Sequence, residues 1–356
     1  MAHSLSSVDQ GDDVDGVRGR DAALSSPNDI KFVLNSHGPT FENYSLICIK
    51  SILRICPDPK IAVYRPLNLP PLSERALRFY RKYGVEVVEF RNEFLPDQVV
   101  NLSDVPARHL TLNKIYCLSH MHQDERRLFL DADTLVIKDP RPYLHSLGVG
   151  IAVPPVDTPD AFGGDWRELY SGVGVRLPDE KIRVWERYSY GSEPESAMVE
   201  IVPYFCSGVI FVSGTSKLSS KWAEMCQTLE RKLELIPRTY FLDQIALSVA
   251  VAATGEERSV LSRGFNCHFE TLKRVDDLHI FHYLNFDALA AGVARDSRVR
   301  LACREVIQKL NREDGLDLRL QTLTEWPRLY RRVRSIVLRR VRSLLGLTQK
   351  VAKERS

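Results

Sequence analysis

The sequence predicts an α/β protein organised around a doubly wound, mostly parallel sheet, extended by helices at its C-terminal end. Three observations predict it. Apolar runs of strand length alternate with amphipathic stretches of helical period from about residue 30 to about residue 285. The chain has 356 residues and 44% apolar side chains, enough for one large core or two modest ones. One apolar run, Leu128-Phe129-Leu130, stops abruptly at Asp131, with Asp133 two residues on. In wound sheets ligands bind beyond the carboxyl ends of the strands, so such an ending marks a candidate site.

Residues 1–29 are rich in Ser, Asp and Gly with almost no bulky apolar content, and read as a disordered acidic tail. Ile30 to Leu34 is the first strand, and Asn35 to Thr40 a loop. The spacing of Leu46, Ile49 and Leu53 predicts a helix from about Glu42 to Arg54. Ile61 to Tyr64 is a second strand. Ser73 is placed to cap a helix that Gly84 ends, and Val85 to Val88 is a third strand. Thr111 to Met121 reads as a helix leading into the strand that carries the two acids. Gly148 to Ala152 is a strand. Residues 154–203, rich in Pro, Gly, Tyr and Trp, read as a long functional loop region. Ser207 to Val212 returns to strand, 216–234 and Phe241 to Ala253 are helices, and Leu278 to Tyr283 is a last strand.

Asp131 and Asp133 are expected to project to one side, as residues i and i+2 do in extended backbone, with Ala132 turned away. Two like charges at a strand end repel each other and invite a cation. Oxygen ligands suit a hard ion such as Mg²⁺ or Mn²⁺, which completes its shell with water and substrate phosphates. An isolated Asp-x-Asp is also common in turns, where Asp bonds its own backbone. The apolar runs on both sides, with Lys138-Asp139-Pro140 after the second, make the metal reading the stronger one.

Phe129-Leu130-Asp131-Ala132-Asp133-Thr134-Leu135-Val136 resembles the DxD signature of GT-A nucleotide-sugar glycosyltransferases. The nearest group is family 8, the glycogenin-like and lipopolysaccharide-galactosyltransferase-like enzymes. The resemblance implies that Asp131 and Asp133 hold Mn²⁺ (or Mg²⁺), which grips the diphosphate of a UDP-sugar, and that transfer retains anomeric configuration. It further implies roles for single residues. Tyr44 stands where the family stacks an aromatic ring on uracil, although it also reads as a helix-start residue packed on a neighbour. Lys114 matches a lysine that approaches the sugar-nucleotide, and exposed helical lysines are equally ordinary. Phe205-Cys206-Ser207-Gly208-Val209 resembles a segment in which Ser207 and Gly208 line the donor, with Cys206 where Asn is usual. Asp243-Gln244 resembles a pair near the reacting carbon, although Asp243 also reads as a helix N-cap. His282-Tyr283 matches the start of a late metal-binding pattern, with Asn285 at its glycine position and no Lys-Pro-Trp after it. His282 is therefore the expected third ligand, and His279 is its alternative.

Formal net charge is +3, which points to no particular partner for the chain as a whole. Its distribution says more. Residues 327–356 hold ten Arg or Lys and one acid, leaving the rest of the chain at −6. Leu329, Val333, Ile336, Val337, Val341, Leu344 and Leu345 recur there at helical spacing, a basic amphipathic helix suited to an anionic membrane surface. A helix packed on the domain with a solvated basic face is the alternative, and no nucleic-acid partner is expected. Seven unpaired-looking Cys and no signal-peptide-like or spanning apolar segment lead to the expectation of a cytoplasmic chain, peripheral on the inner membrane face.

The expected organisation is thus 1–29 tail, 30–285 glycosyltransferase domain, 286–326 helical extension and 327–356 basic helix. The expected activity moves a sugar from a UDP-sugar to a glycan or lipid-linked acceptor. Two rivals are a non-catalytic nucleotide-sugar-binding protein on a degenerate scaffold and a haloacid-dehalogenase-like phosphatase. In the phosphatase, Asp131 would be the nucleophile.

Overall fold

The computed structural model describes residues 29–156, 162–185, 198–269 and 271–318. The expected acidic tail up to residue 28 and the basic helix at 327–356 lie outside them.

The strands are β1 (Ile30–Asn35), β2 (Ile61–Pro66), β3 (Glu86–Phe90), β4 (Arg126–Leu130), β5 (Thr134–Val136), β6 (Ile151–Val153), β7 (Ile182–Trp185), β8 (Met198–Ile201), β9 (Val209–Ser213), β10 (Arg258–Val260) and β11 (Ile280–His282). The helices are α1 (Gly38–Ile55), α2 (Glu74–Lys82), α3 (Ala107–Thr111), α4 (Asn113–Leu118), α5 (Arg141–Ser146), α6 (Trp166–Gly172), α7 (Leu218–Glu230), α8 (Leu242–Thr254), α9 (Phe286–Arg295) and α10 (Ser297–Asp314). Seven strands form the main sheet in the order β10-β6-β9-β4-β1-β2-β3. Only β9 runs antiparallel to its neighbours. Its N-terminal end therefore lies beside the carboxyl ends of β4 and β6. That edge collects Asp131, which follows β4, residues 154–156, which follow β6, and residues 202–208, which precede β9.

Alternation along the strands divides the core. Phe32, Leu34, Leu128 and Leu130 face a cluster shared with α1, α2, α9 and α10. Val33, Phe129, Ile210 and Val212 face a second cluster shared with α4, α6, α7 and α8. Both faces are covered, which explains why these strands read as unbroken apolar runs. α9 and α10 bury Leu289, Val293, Val299, Val306 and Leu310 in the first cluster, so the extension shares the core of the sheet. Lys50 of α1, only 3% exposed, ties down the end of α10 by contacts of 2.7 Å to Glu313 and 2.9 Å to Asp314.

Several expectations are corrected. α1 begins at Gly38, not Glu42, because His37 is extended and Pro39 stands in the first turn, where its missing N–H costs nothing. The expected helix 111–121 is shorter: α3 ends at Thr111, Leu112 breaks the run, and α4 ends at Leu118. The 154–203 stretch is not wholly irregular. It contains α6, which Asp165 caps by accepting the Arg167 N–H, and the β7–β8 hairpin. α2 is as expected: Ser73 accepts from the Ala76 N–H, and Gly84 follows the helix at φ +61°.

Candidate active site

Asp131, Asp133 and His282 converge at the carboxyl edge. One ligand atom from each lies within 4.8 Å of the others. The convergence of the two acids is not the extended i, i+2 arrangement expected from sequence. Asp131 to Asp133 form a turn between β4 and β5, held by the Thr134 hydroxyl donating to the Asp131 carbonyl (2.8 Å) and by the Asp131 N–H donating to the Gly208 carbonyl (2.8 Å). Ala132 does turn away, packing against the first core cluster.

His282 arrives from 149 residues away by strand register. β11 pairs antiparallel with β5, and His282 stands opposite Thr134. The Tyr283 N–H donates to the Asp133 carbonyl at 3.0 Å and closes the ladder beside the site. His282 Nδ1 donates to Asn266 Oδ1 at 2.9 Å, which directs Nε2 at the acids, 3.2 Å from Asp133 and 3.8 Å from Asp131. His279, the alternative ligand, points elsewhere. It stacks on Phe265 at 4.3 Å and contacts Asp277 at 3.0 Å.

Lys114 of α4 donates to Asp131 at 2.9 Å and to Ser207 at 3.1 Å, and lies 3.1 Å from Asp243. Ser207 donates to Asp243 at 2.6 Å. Asp243 is buried in the first turn of α8 with its carboxylate turned into this network, so it does not cap the helix. Gln244 beside it is partly buried and makes no side-chain hydrogen bond among the described residues. Tyr44 is partly buried in α1. Its ring stacks on Phe286 (4.3 Å, 9°) and lies 5.9 Å from Tyr283, so the neighbour-packing reading describes what it does here. Gly208 is required for space. A Cβ there would sit 2.6 Å from His282 Cε1 and 3.1 Å from Asp131 Oδ2. The space it leaves is filled by the site's own side chains.

The charges explain the titration behaviour. Burial opposes a charge on His282, yet Asp133 and then Asp131 carry its pKa well above the ordinary imidazole value. Burial would lift Asp133 too, but His282 holds it below the usual carboxylate range. Burial wins at Asp131 and raises it, against the pull of Lys114. Burial likewise opposes the Lys114 cation, and Asp131 and Asp243 more than restore it. The acids remain 18% and 25% exposed while His282 is 5% exposed, so the carboxylates face an opening and the imidazole backs it.

Two carboxylates and an imidazole, with the imidazole oriented by a buried amide, suit a divalent ion. Asn266 was not picked out from sequence. It sits in an irregular stretch with no motif around it, and only the fold brings it to His282.

The family model of the Rhodobacterales glycosyltransferase domain matches residues 32–255, more than half of the chain. No curated protein matches. Solved structures with similar folds include galactosyltransferase LgtC in complex with donor and acceptor sugar analogues. It is 15% identical, with 78% of this chain and 94% of that one covered, at a TM-score of 0.48. The bifunctional glycosyltransferase WbbM is 13% identical (79% and 51% covered, TM-score 0.45). Mouse xyloside xylosyltransferase 1 is 14% identical (71% and 96% covered, TM-score 0.41). The family match favours neither the phosphatase nor the degenerate binding protein. A wound sheet with its acids at the carboxyl edge and the match over 32–255 agree: this chain belongs to the Rhodobacterales glycosyltransferase domain family and is a glycosyltransferase.

Proposed function

We propose that the enzyme is metal-dependent, takes a UDP-sugar as donor, transfers with retention and delivers the sugar to a glycan or lipid-linked acceptor. The observation that carries this reading is the Asp131–Asp133–His282 cluster with Lys114 at its side. Asp131, Asp133 and His282 would hold the ion. Mixed oxygen and nitrogen ligands suit Mn²⁺ better than Mg²⁺, whose sites are built mainly from oxygen. When bound, the ion supplies Lewis-acid stabilisation of charge on a leaving diphosphate.

The chain's own groups supply the rest. Lys114 is a cation held at the same opening and adds electrostatic support to a departing diphosphate. Ser207 and Asp243 fix the Lys114 ammonium, and Asp243 with Gln244 stands on the donor-sugar side. Gly208 leaves room for His282. Tyr44 flanks the site as the proposed base-side aromatic, one face already stacked on Phe286.

No helix among the described residues is long and apolar enough to cross a membrane. The proposed membrane contact rests on the composition of 327–356. Co-sedimentation with anionic liposomes should fall when that segment is deleted, and unchanged binding would remove the membrane role. The donor is tested by thermal shift against a panel of nucleotide sugars with and without Mn²⁺. Stabilisation by a UDP-sugar only in the presence of metal is expected. Equal stabilisation without metal, or none by any UDP-sugar, would overturn the reading.

A further inference from the structure

We propose that the acceptor is an anionic saccharide, carrying phosphate or carboxylate groups, and that it is held by a cleft between α6 and the β7–β8 hairpin. This inference rests on the glycosyltransferase reading above and adds the class of acceptor to it. The cleft is open and of about 530 Å³. Leu177, Val202 and Trp166 give it apolar lining. Arg167 and Lys181 stand on its rim, both exposed, and neither forms an ion pair among the described residues. Asp165 also lines it, but its Oδ1 accepts the Arg167 backbone N–H at 2.7 Å as the cap of α6. The lining thus carries two cations against one acid already engaged.

The chemistry fits a charged sugar. The apolar CH face of a pyranose packs on an indole ring, and the guanidinium matches phosphate or carboxylate in a two-pronged geometry. The position fits as well. Val202 lies five residues before Ser207 on the segment that runs along the carboxyl edge into β9. Between the cleft and the site stands Tyr204. Its ring lies 5.1 Å from Trp166, and it stands three residues before Ser207. The segment from Val202 to Ser207 therefore leads from the cleft to the Lys114–Asp243 network.

The test uses the full chain and isothermal titration calorimetry with three probes: a trigalacturonate, a phosphorylated maltotriose and neutral maltotriose. A charged probe should bind at least about tenfold more tightly than the neutral one, the scale of a charge-assisted hydrogen bond. The double variant Arg167→Glu/Lys181→Glu should lose that preference. The two charged probes distinguish carboxylate from phosphate as the recognised group. Trp166→Ala should weaken both charged probes, and because Trp166 also packs on Phe162, the exposed charge reversals carry the decision. Equal binding of neutral and charged probes, no binding of any probe, or charged binding indifferent to the reversal overturns the proposal. Stabilisation by UDP with Mn²⁺ is measured on the same proteins. If it persists while the saccharide result fails, the cleft assignment alone falls; if it is absent from the unmutated protein, the donor reading falls.

Discussion

The Asp131–Asp133–His282 corner and the cleft lined by residues 164–202 are built on opposite lines. At the corner the charged groups are tied together: Lys114 to Asp131, Ser207 and Asp243, His282 to Asp133 and Asn266. Each anchor is set by strand register, by a turn or by a helix. In the cleft the cations sit on exposed side chains beside apolar lining residues. The difference matches the ligands proposed for each. A diphosphate with its ion presents fixed charges at fixed spacing, so preorganised groups in a partly dry corner gain most from it. A glycan presents a broad, hydrated surface, which long side chains can follow at little energetic cost.

If that contrast is real, substitutions at the corner should have large effects and those around the cleft small ones. Asp133→Asn should be the most severe. It removes a ligand charge and leaves His282 without its closest partner, and transfer should fall by roughly 10³-fold, the several kcal/mol expected of Lewis-acid stabilisation. Steady-state transfer at saturating Mn²⁺ checks the rate, and the metal-dependent thermal shift should vanish with it. Gly208→Ala comes next. Its methyl would occupy the place of the His282 ring, and overpacking of this kind costs about 1–3 kcal/mol. Denaturant unfolding reads that loss, and a Mn²⁺ titration should show weakened binding in the same variant. Asn266→Ala should lower metal affinity by roughly 10–100-fold, the usual effect of losing the group that orients a ligating imidazole. An Asn266→Ala protein that binds Mn²⁺ as tightly as the unmutated chain would show that β11 alone aims His282.

The same contrast governs how much the sequence disclosed. The corner's acids were legible because an apolar strand running into two carboxylates is a local pattern. His282 was legible only through resemblance, and the register of β11 on β5 explains why: no spacing rule links positions 133 and 282. Asn266 was illegible because its role exists only once that register forms. The alternation of strands and helices was plain, yet β9 carries no mark of running antiparallel, since a strand buried on both faces looks the same in either direction. The start of α1 was misplaced because its first turn contains Pro39 and no apolar repeat. The long 154–203 stretch hid α6, a helix too short for its periodicity to stand out.

A milder and more diagnostic effect is expected from pH. Asp133 and Asp131 raise the folded-state pKa of His282 well above 6.5 against the opposing effect of burial. The folded metal-free protein therefore binds a proton at neutral pH that the unfolded chain begins to lose near 6.5. Its stabilising contribution is complete below about pH 6.5 and is lost as pH rises through the raised value. Thermal midpoints of the metal-free protein should fall across that range, and His282→Gln should flatten the slope. Metal binding must displace the same proton. Mn²⁺ affinity should accordingly strengthen by up to about tenfold per pH unit while His282 stays protonated, because one proton is exchanged. Affinity that is flat in pH would place the imidazole outside the ligand set.

The smallest effect is expected beside the cleft, and it is the sharpest control on the contrast. Arg176 and Asp179 form an ion pair in the loop between α6 and β7, with side chains 85% and 83% exposed. Lys114 and Asp131 also form an ion pair, at 14% and 18% exposure. Water screens the first pair almost completely, so Asp179→Asn should change unfolding free energy by less than about 0.5 kcal/mol and leave Mn²⁺ affinity alone. Lys114→Met meets a different situation. It leaves Asp131 and Asp243 facing each other without their shared cation, and a partly buried acid left unpaired is costly. Denaturant melts of the two variants side by side measure the gap directly. Comparable losses in both would mean that the corner is as open to solvent as the loop. The distinction between a preorganised corner and a pliant cleft would then lose its physical basis.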